Sequence, residues 1–223
     1  MNTSGIIEKL DYTLLTPTAS NMDIKRFCNE TIAYGFKTVF VNPYYIKQAY
    51  NYLADHHVKV GAPIGFSLGG MKTAIKVAEA KSAIKDGASE IDMLINLGAL
   101  KSKDYKVVKQ DISEVVRASE GCITKVIIET GLLTGEEKCV ATELVKEAGA
   151  DFVKTATGFN GGGATVEDVK LLRSIVGPEM GVKAAGGIRS LKDVKAMIEA
   201  GANRIGTSSA VLIVDGGYSE KEY

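Results

Sequence analysis

The sequence predicts an α/β protein, a closed (β/α)8 TIM barrel in a single domain spanning residues 1–223. Three observations predict it. A glycine corner recurs along the chain, capping signals open the helix-period segments, and the strand-like runs between them are short and apolar.

A strand near Leu10–Leu14 opens the series. Helix-period segments then end at a glycine and run straight into a short apolar stretch. This happens at Gly35 (Y-G-F-K-T-V-F-V), Gly87 (D-G-A-S-E-I-D-M), Gly121 (E-G-C-I-T-K-V-I-I), Gly149 (A-G-A-D-F-V-K) and Gly201 (A-G-A-N-R-I-G). Glycine suits the C-terminus of a helix because the chain there often needs a positive φ. The gaps between corners are 52, 34, 28 and 52 residues, so each gap of 52 leaves room for one more corner. The first is placed near His56–His57, before V-K-V-G-A-P-I-G-F, and the second near Gly177–Gly181, before G-V-K-A-A-G-G-I. Seven corners and the opening strand make eight strands.

Helix starts agree with this count. Thr134-x-x-Glu137 reads as a capping box, and Thr165-x-x-Asp168 and Ser190-x-x-Asp193 as weaker versions. Val166, Val169, Leu172, Ile175 and Val176 follow at helical spacing. Val39–Val41 and Val126–Ile128 are apolar throughout, as strands buried on both faces should be. No linker or low-complexity stretch marks a second domain.

Bulk composition narrows the function classes. Lys+Arg and Asp+Glu are 27 each. There is no basic field for nucleic acid and no polybasic membrane patch, so neither partner is expected. Cys28, Cys122 and Cys139 are odd in number and lack C-x-x-C spacing, which suits a reducing compartment. The start lacks a long apolar core, so no signal peptide is expected, and no run of about 18 apolar residues suggests a membrane span. A cytoplasmic location is the expectation.

Chemistry in such a barrel sits at the C-terminal ends of the strands. Three ionisable residues fall there: Asp92 in E-I-D-M-L-I-N, Lys154 in D-F-V-K-T-A-T-G-F and Lys183 in G-V-K-A-A-G-G, on strands four, six and seven. A lysine ending a buried strand is poorly solvated and needs a reason. Lys154 and Lys183 are 29 residues apart, one βα unit, so their strands are neighbours. Two inward ammonium groups about 5 Å apart repel by about 3 kcal/mol at an effective dielectric near 20. That repulsion and desolvation both favour a neutral amine, which can attack a carbonyl. Lys154 is read as the Schiff-base nucleophile, Lys183 as its charged neighbour and proton donor, and Asp92 as a proton relay through water.

Gly158, Gly186 and Gly187 allow close backbone approach to an anion, and Ser208 and Ser209 open a short helix beside them. A phosphate site is expected on these five residues. G-F-N-G-G-G lacks the G-K-[ST] of a P-loop. No acidic cluster of the magnesium-binding type accompanies it, and the two histidines are adjacent, so neither metal nor other cofactor is expected. Glu90 shares the face of Asp92, and Lys125 lies on the next strand, so an ion pair low in the barrel is expected. The residues alone leave open another lysine-imine, phosphate-binding barrel of the transaldolase or thiazole-synthase kind. A non-catalytic sugar-phosphate binder also stays open.

The chain resembles the class I deoxyribose-phosphate aldolases over nearly its whole length. The resemblance rests on L-D-Y-T-L-L-T-P at 10–17, E-A-K-S-A-I-K-D-G-A-S-E-I-D-M-L-I-N at 79–96 and N-L-G-A-L-K-S-K-D-Y at 96–105. It rests equally on K-V-I-I-E-T at 125–130, D-F-V-K-T-A-T-G-F at 151–159 and V-K-A-A-G-G-I-R at 182–189. It implies reversible cleavage of 2-deoxy-D-ribose 5-phosphate to D-glyceraldehyde 3-phosphate and acetaldehyde. It implies Lys154 as the imine-forming lysine, Lys183 and Asp92 as its proton-transfer partners, and phosphate at the five glycine and serine positions. Asp11 would support the lysines, and a terminal tyrosine, here Tyr223, reaches the site in some relatives. Partners would be a small sugar phosphate and an aldehyde; a homo-oligomer is compatible with this. Three departures stand out: Tyr12 where many relatives have histidine, Phe40 where many have cysteine, and Ala156 where serine is common. A phenyl ring at position 40 offers no thiol to reactive aldehydes.

Overall fold

In the computed structural model, which describes residues 3–219, eight parallel strands pair in chain order and close, the last against the first. They are β1 (Leu10–Leu14), β2 (Thr38–Val41), β3 (Lys59–Ile64), β4 (Glu90–Leu94), β5 (Ile123–Ile127), β6 (Phe152–Lys154), β7 (Gly181–Ala185) and β8 (Arg204–Thr207). The helices among the described residues are α1 (Thr3–Ile7), α2 (Asn21–Tyr34), α3 (Ile46–Leu53), α4 (Thr73–Lys85) and α5 (Leu97–Lys101). They continue with α6 (Tyr105–Ala118), α7 (Gly135–Glu147), α8 (Val166–Val176), α9 (Leu191–Glu199) and α10 (Ala210–Val214). The expected barrel is present, with Asp92, Lys154 and Lys183 on β4, β6 and β7. Tyr223 lies outside the described residues.

The corners work as their residues suggest. Gly35, Gly87, Gly121, Gly149 and Gly201 all have positive φ, from 72° to 113°. Of the two inferred corners, one uses Gly177 at φ 73° and the other uses His57 itself, left-handed at φ 55°. The boxes at Thr134/Glu137 and Ser190/Asp193 form in both directions. At Thr165 only half forms, because the Asp168 carboxylate accepts from Lys138 Nζ at 2.6 Å instead. A further box, Ser20/Asp23, opens α2.

Strand alternation sorts the side chains into two regions. Val39, Val41, Ile91, Met93, Val126, Val153, Val182 and Ile205 are buried in one cluster with Ile24, Ile112, Val145, Leu172 and Val194 of the helices. That apolar shell supplies the driving force for closure. The barrel interior is different. Branched apolar residues usually fill it, yet here Asp11, Glu90, Asp92, Lys125, Lys154 and Lys183 are buried there. Two strand glycines make the room. A Cβ at Gly61 would lie 2.3 Å from the Phe40 ring, and one at Gly206 would lie 3.1 Å from Lys183 Cε.

A second buried ion pair braces the outside of β4. Lys76 of α4 donates to Asp111 of α6 at 2.5 Å and to the Leu94 carbonyl at 2.8 Å, fixing the strand end beyond Asp92. Among the described residues, no helix is long and apolar enough to cross a membrane.

Candidate active site

The barrel register places Lys154 directly beside Lys183, and Asp92 directly beside Lys125. Lys154 and Lys183 both donate to one oxygen, Asp92 Oδ2, at 2.8 and 2.7 Å. Lys125 donates to Asp92 Oδ1 at 3.1 Å and to Glu90 Oε2 at 2.5 Å. Asp11 Oδ2 lies 2.5 Å from Lys183 Nζ. Arg204 completes the group, donating from Nε to Asp11 Oδ1 at 2.8 Å and from Nη2 to Glu90 Oε2 at 3.2 Å. The Phe40 ring centroid is 3.9 Å from Lys183 Nζ and 4.6 Å from Lys125 Nζ, within cation–π range.

This group sets four cations (Lys125, Lys154, Lys183, Arg204) against three carboxylates (Asp11, Glu90, Asp92). Lys59, exposed at the start of β3, adds a further cation 3.8 Å from Glu90 Oε1, so the carboxylates are outnumbered. Accessibility separates the two lysines that share Asp92. The Lys154 side chain keeps 8% of its surface exposed and that of Lys183 1%, so Lys154 is the amine that a substrate can meet.

Burial alone would raise the Asp92 carboxyl, but Lys125, Lys154 and Lys183 outweigh it and hold the group well below the usual carboxylate range. Asp92 is therefore a fixed anion that accepts hydrogen bonds from all three lysines. Burial likewise works against charge on Lys125, and Asp92, Asp11 and Glu90 more than restore it, raising its pKa. Lys183 goes the other way. Burial pushes it down to about 8 against the pull of Asp11 and Asp92, with repulsion from Lys154 and Lys125 adding to the fall. From sequence, repulsion between the two lysines is expected to dominate and to act for Lys154. In the structure Asp92 sits between the ammonium groups, and burial is the larger cause of the fall at Lys183. Lys154 and Lys183 thus meet through one shared carboxylate oxygen.

A cavity of about 300 Å³ lies where the loops after β6, β7 and β8 meet. Gly158, Gly186, Gly187, Ser208 and Ser209, the five residues expected to hold phosphate, all line it. So do Gly161, Gly162, Arg189 and Thr207, which sequence reasoning did not single out. Gly186 and Gly187 are both left-handed, at φ 92° and 72°, which turns the main chain along the cavity wall. Arg189 is the one basic residue among those that line it. Ser208 and Ser209 also border a wider groove of about 1070 Å³ with Tyr12, Phe159 and Tyr218. Thr155 Oγ1 ties the lysine strands together, donating to the Ala185 carbonyl at 2.9 Å and accepting from the Ala185 N–H at 3.0 Å.

The expected Lys125–Glu90 ion pair is present, and Lys125 reaches Asp92 as well. Arg204 and Glu129 were missed. Nothing local marks Arg204, the partly exposed first residue of β8. His56 and His57 are exposed, at the corner before β3. Among the described residues, no group of three or more His, Cys, Asp or Glu is arranged to hold a metal ion.

A barrel with a buried lysine pair on one carboxylate, and a glycine-rich cavity at the same strand ends, defines a lysine-bearing (β/α)8 barrel of the aldolase class. A family model for the DeoC/LacD family aldolases matches residues 8–213, and the chain belongs to that family. It is 58% identical to deoxyribose-phosphate aldolase 2 of Oceanobacillus iheyensis over 223 residues, covering 100% of both chains. It is 59% identical to the deoxyribose-phosphate aldolase of Thermococcus kodakarensis, covering 99% of this chain and 100% of that one. Among solved structures, a tetrameric deoxyribose phosphate aldolase from Aeropyrum pernix superposes with a TM-score of 0.90 at 34% identity, over 96% of this chain and 91% of that one. The resemblance read from the motifs is borne out.

Proposed function

We propose that this protein is a class I aldolase that reversibly cleaves 2-deoxy-D-ribose 5-phosphate to D-glyceraldehyde 3-phosphate and acetaldehyde. The observation that carries the proposal is Asp92 Oδ2, shared by Lys154 and Lys183 at 2.8 and 2.7 Å on the strands that lead into the glycine cavity. The names of the relatives supply the substrate, and the cavity fits its phosphate.

Lys154 acts as the nucleophile. Its proton passes to neutral Lys183, which shares Asp92 Oδ2 with it, and the free amine adds to the C1 carbonyl of the open-chain sugar. Lys183 returns that proton to the carbinolamine hydroxyl, which leaves as water and gives an iminium ion, an electron sink equivalent to a Lewis acid. The C3 hydroxyl then gives its proton, through a water held by Asp92, to the again-neutral Lys183. The C2–C3 electron pair moves into the iminium, and glyceraldehyde 3-phosphate leaves. The enamine left on Lys154 takes a proton from Lys183 at carbon, and water hydrolyses the resulting iminium to acetaldehyde and free Lys154. Gly158, Gly186, Gly187, Ser208 and Ser209, joined by Arg189, hold the phosphate and fix C1 over Lys154.

The chain works in this reading as one barrel domain with no added cofactor. A cytoplasmic location is supported by three unpaired thiols, Cys28, Cys122 and Cys139. Assembly into a homo-oligomer is supported by the tetrameric Aeropyrum pernix relative. The test of activity is direct: purified protein with 2-deoxyribose 5-phosphate should release acetaldehyde and glyceraldehyde 3-phosphate in equal amounts. Turnover of neither this substrate nor its two products in reverse would defeat the proposal.

A further inference from the structure

Glu129 lies on the turn that follows β5 and has no part in the lysine cluster described above. Its residue is wholly buried, and its backbone is left-handed at φ 56°, ψ 63°. Glycine is the residue that adopts this conformation freely. A glutamate held there is held for its side chain. The Oε1 atom accepts from the Thr157 N–H at 2.9 Å, and Oε2 accepts from Thr157 Oγ1 at 2.6 Å and from Asn160 Nδ2 at 2.9 Å. All three bonds go to the turn after β6. Asn160 Nδ2 also donates to the Ser67 carbonyl at 2.6 Å, which brings the loop after β3 into the same network.

The gripped span contains Gly158, and Gly161 and Gly162 follow directly; all three line the cavity assigned to phosphate. A second contact joins the same two turns, since a Cβ on Gly131 would lie 3.2 Å from the Gly161 carbonyl oxygen. The lysines are held otherwise, by the barrel register and by Asp92. One buried carboxylate therefore sets the wall that β6 contributes to the cavity and leaves the amine chemistry to other groups.

We propose that Glu129 is a positioning residue for recognition of the substrate's phosphate: it fixes the Thr157–Asn160 turn so that Gly158, Gly161 and Gly162 present their main chain to the phosphate ester. This rests on the proposed aldolase reading. Glu129→Gln keeps the size of the side chain but sets an NH2 against at least one of the three donors, whichever way the amide turns, so the turn loses part of its anchor. Asn160→Ala removes the far end of the same network and leaves Glu129 in place.

The experiment measures three quantities for wild type, E129Q and N160A. They are KM for 2-deoxyribose 5-phosphate, affinity for inorganic phosphate by calorimetry, and the rate of imine formation with acetaldehyde, which carries no phosphate. Expected are a rise in KM of about tenfold and a parallel loss of phosphate affinity, with imine formation within about twofold of wild type. Equal losses in imine formation and phosphate binding would overturn the proposal, as would unchanged phosphate affinity in the folded variants or no phosphate affinity in wild type. If E129Q does not fold, N160A decides. The calorimetric arm needs no turnover, so a wild type that binds phosphate but cleaves no sugar phosphate defeats the aldolase reading and leaves this test standing.

Discussion

The lysine cluster and the glycine cavity meet at the same strand ends but are made of different material. The cluster is side chain: seven charged groups reaching inward from β1, β4, β5, β6, β7 and β8, rigid because each is on a paired strand. The cavity is largely main chain, lined by loops rich in left-handed glycines. In the proposed reaction the first region changes charge and makes bonds. The second offers directed contacts to a group that does not react. Damage to the two should therefore look different, in turnover for the cluster and in affinity for the cavity.

Lys154→Ala should give the largest effect, a loss in kcat on the order of ten-thousandfold or more, with the barrel intact by circular dichroism. Retained turnover would dissolve the distinction between the regions. Asp92→Asn comes next. It removes the anion that joins both lysines and should lower kcat by on the order of a thousandfold, with KM much less affected.

The pH profile is the third probe. In the proposed mechanism Lys183 accepts the Lys154 proton only when neutral, and burial lowers its pKa to about 8. The turnover rate should rise about tenfold per pH unit below that value and level off above it. The same shift fixes a sign for stability. The unfolded chain keeps this proton up to about 10.5, so this group destabilises the fold most fully below about 8, and the penalty is relieved as pH rises from about 8 to 10.5. A rate that falls with pH across this window would move the acceptor role to another group.

The smallest effect belongs to the cavity. Gly187 is left-handed at φ 72°, and a Cβ there meets nothing within 4 Å, so Gly187→Ala adds backbone strain without collision. A rise in KM for the phosphorylated sugar of about tenfold is expected, with imine formation from acetaldehyde unchanged. A fall in kcat with constant KM would show that the cavity and the cluster are not separable.

The two regions were also unequally legible in the sequence. Gly35, Gly87, Gly121, Gly149 and Gly201 mark corners because each carries a backbone requirement that a residue type reveals. His57 meets the same requirement without the residue type, and so its corner was found only by counting. Lys154, Lys183 and Asp92 were legible because a charge at the end of an apolar strand is anomalous by itself. Arg204 is not anomalous until its partners are known, and Asp11 and Glu90 lie 193 and 114 residues away. The balance between repulsion and burial at Lys183 depended on Asp92 standing between the lysines, a fact of three strands rather than of any motif. Glu129 was hidden more deeply, since its left-handed turn and its grip on Thr157 exist only once β5 and β6 lie side by side. The glycines of the cavity were legible as flexible points, whereas Arg189 on the same wall was not.

The most direct measurement on the central claim is reduction with borohydride in the presence of acetaldehyde, followed by peptide mapping. An ethyl group fixed on Lys154, and absent from the Lys154→Ala protein, is the predicted result. An ethyl group on Lys183 with Lys154 unmodified, or no modification of either lysine, would contradict it.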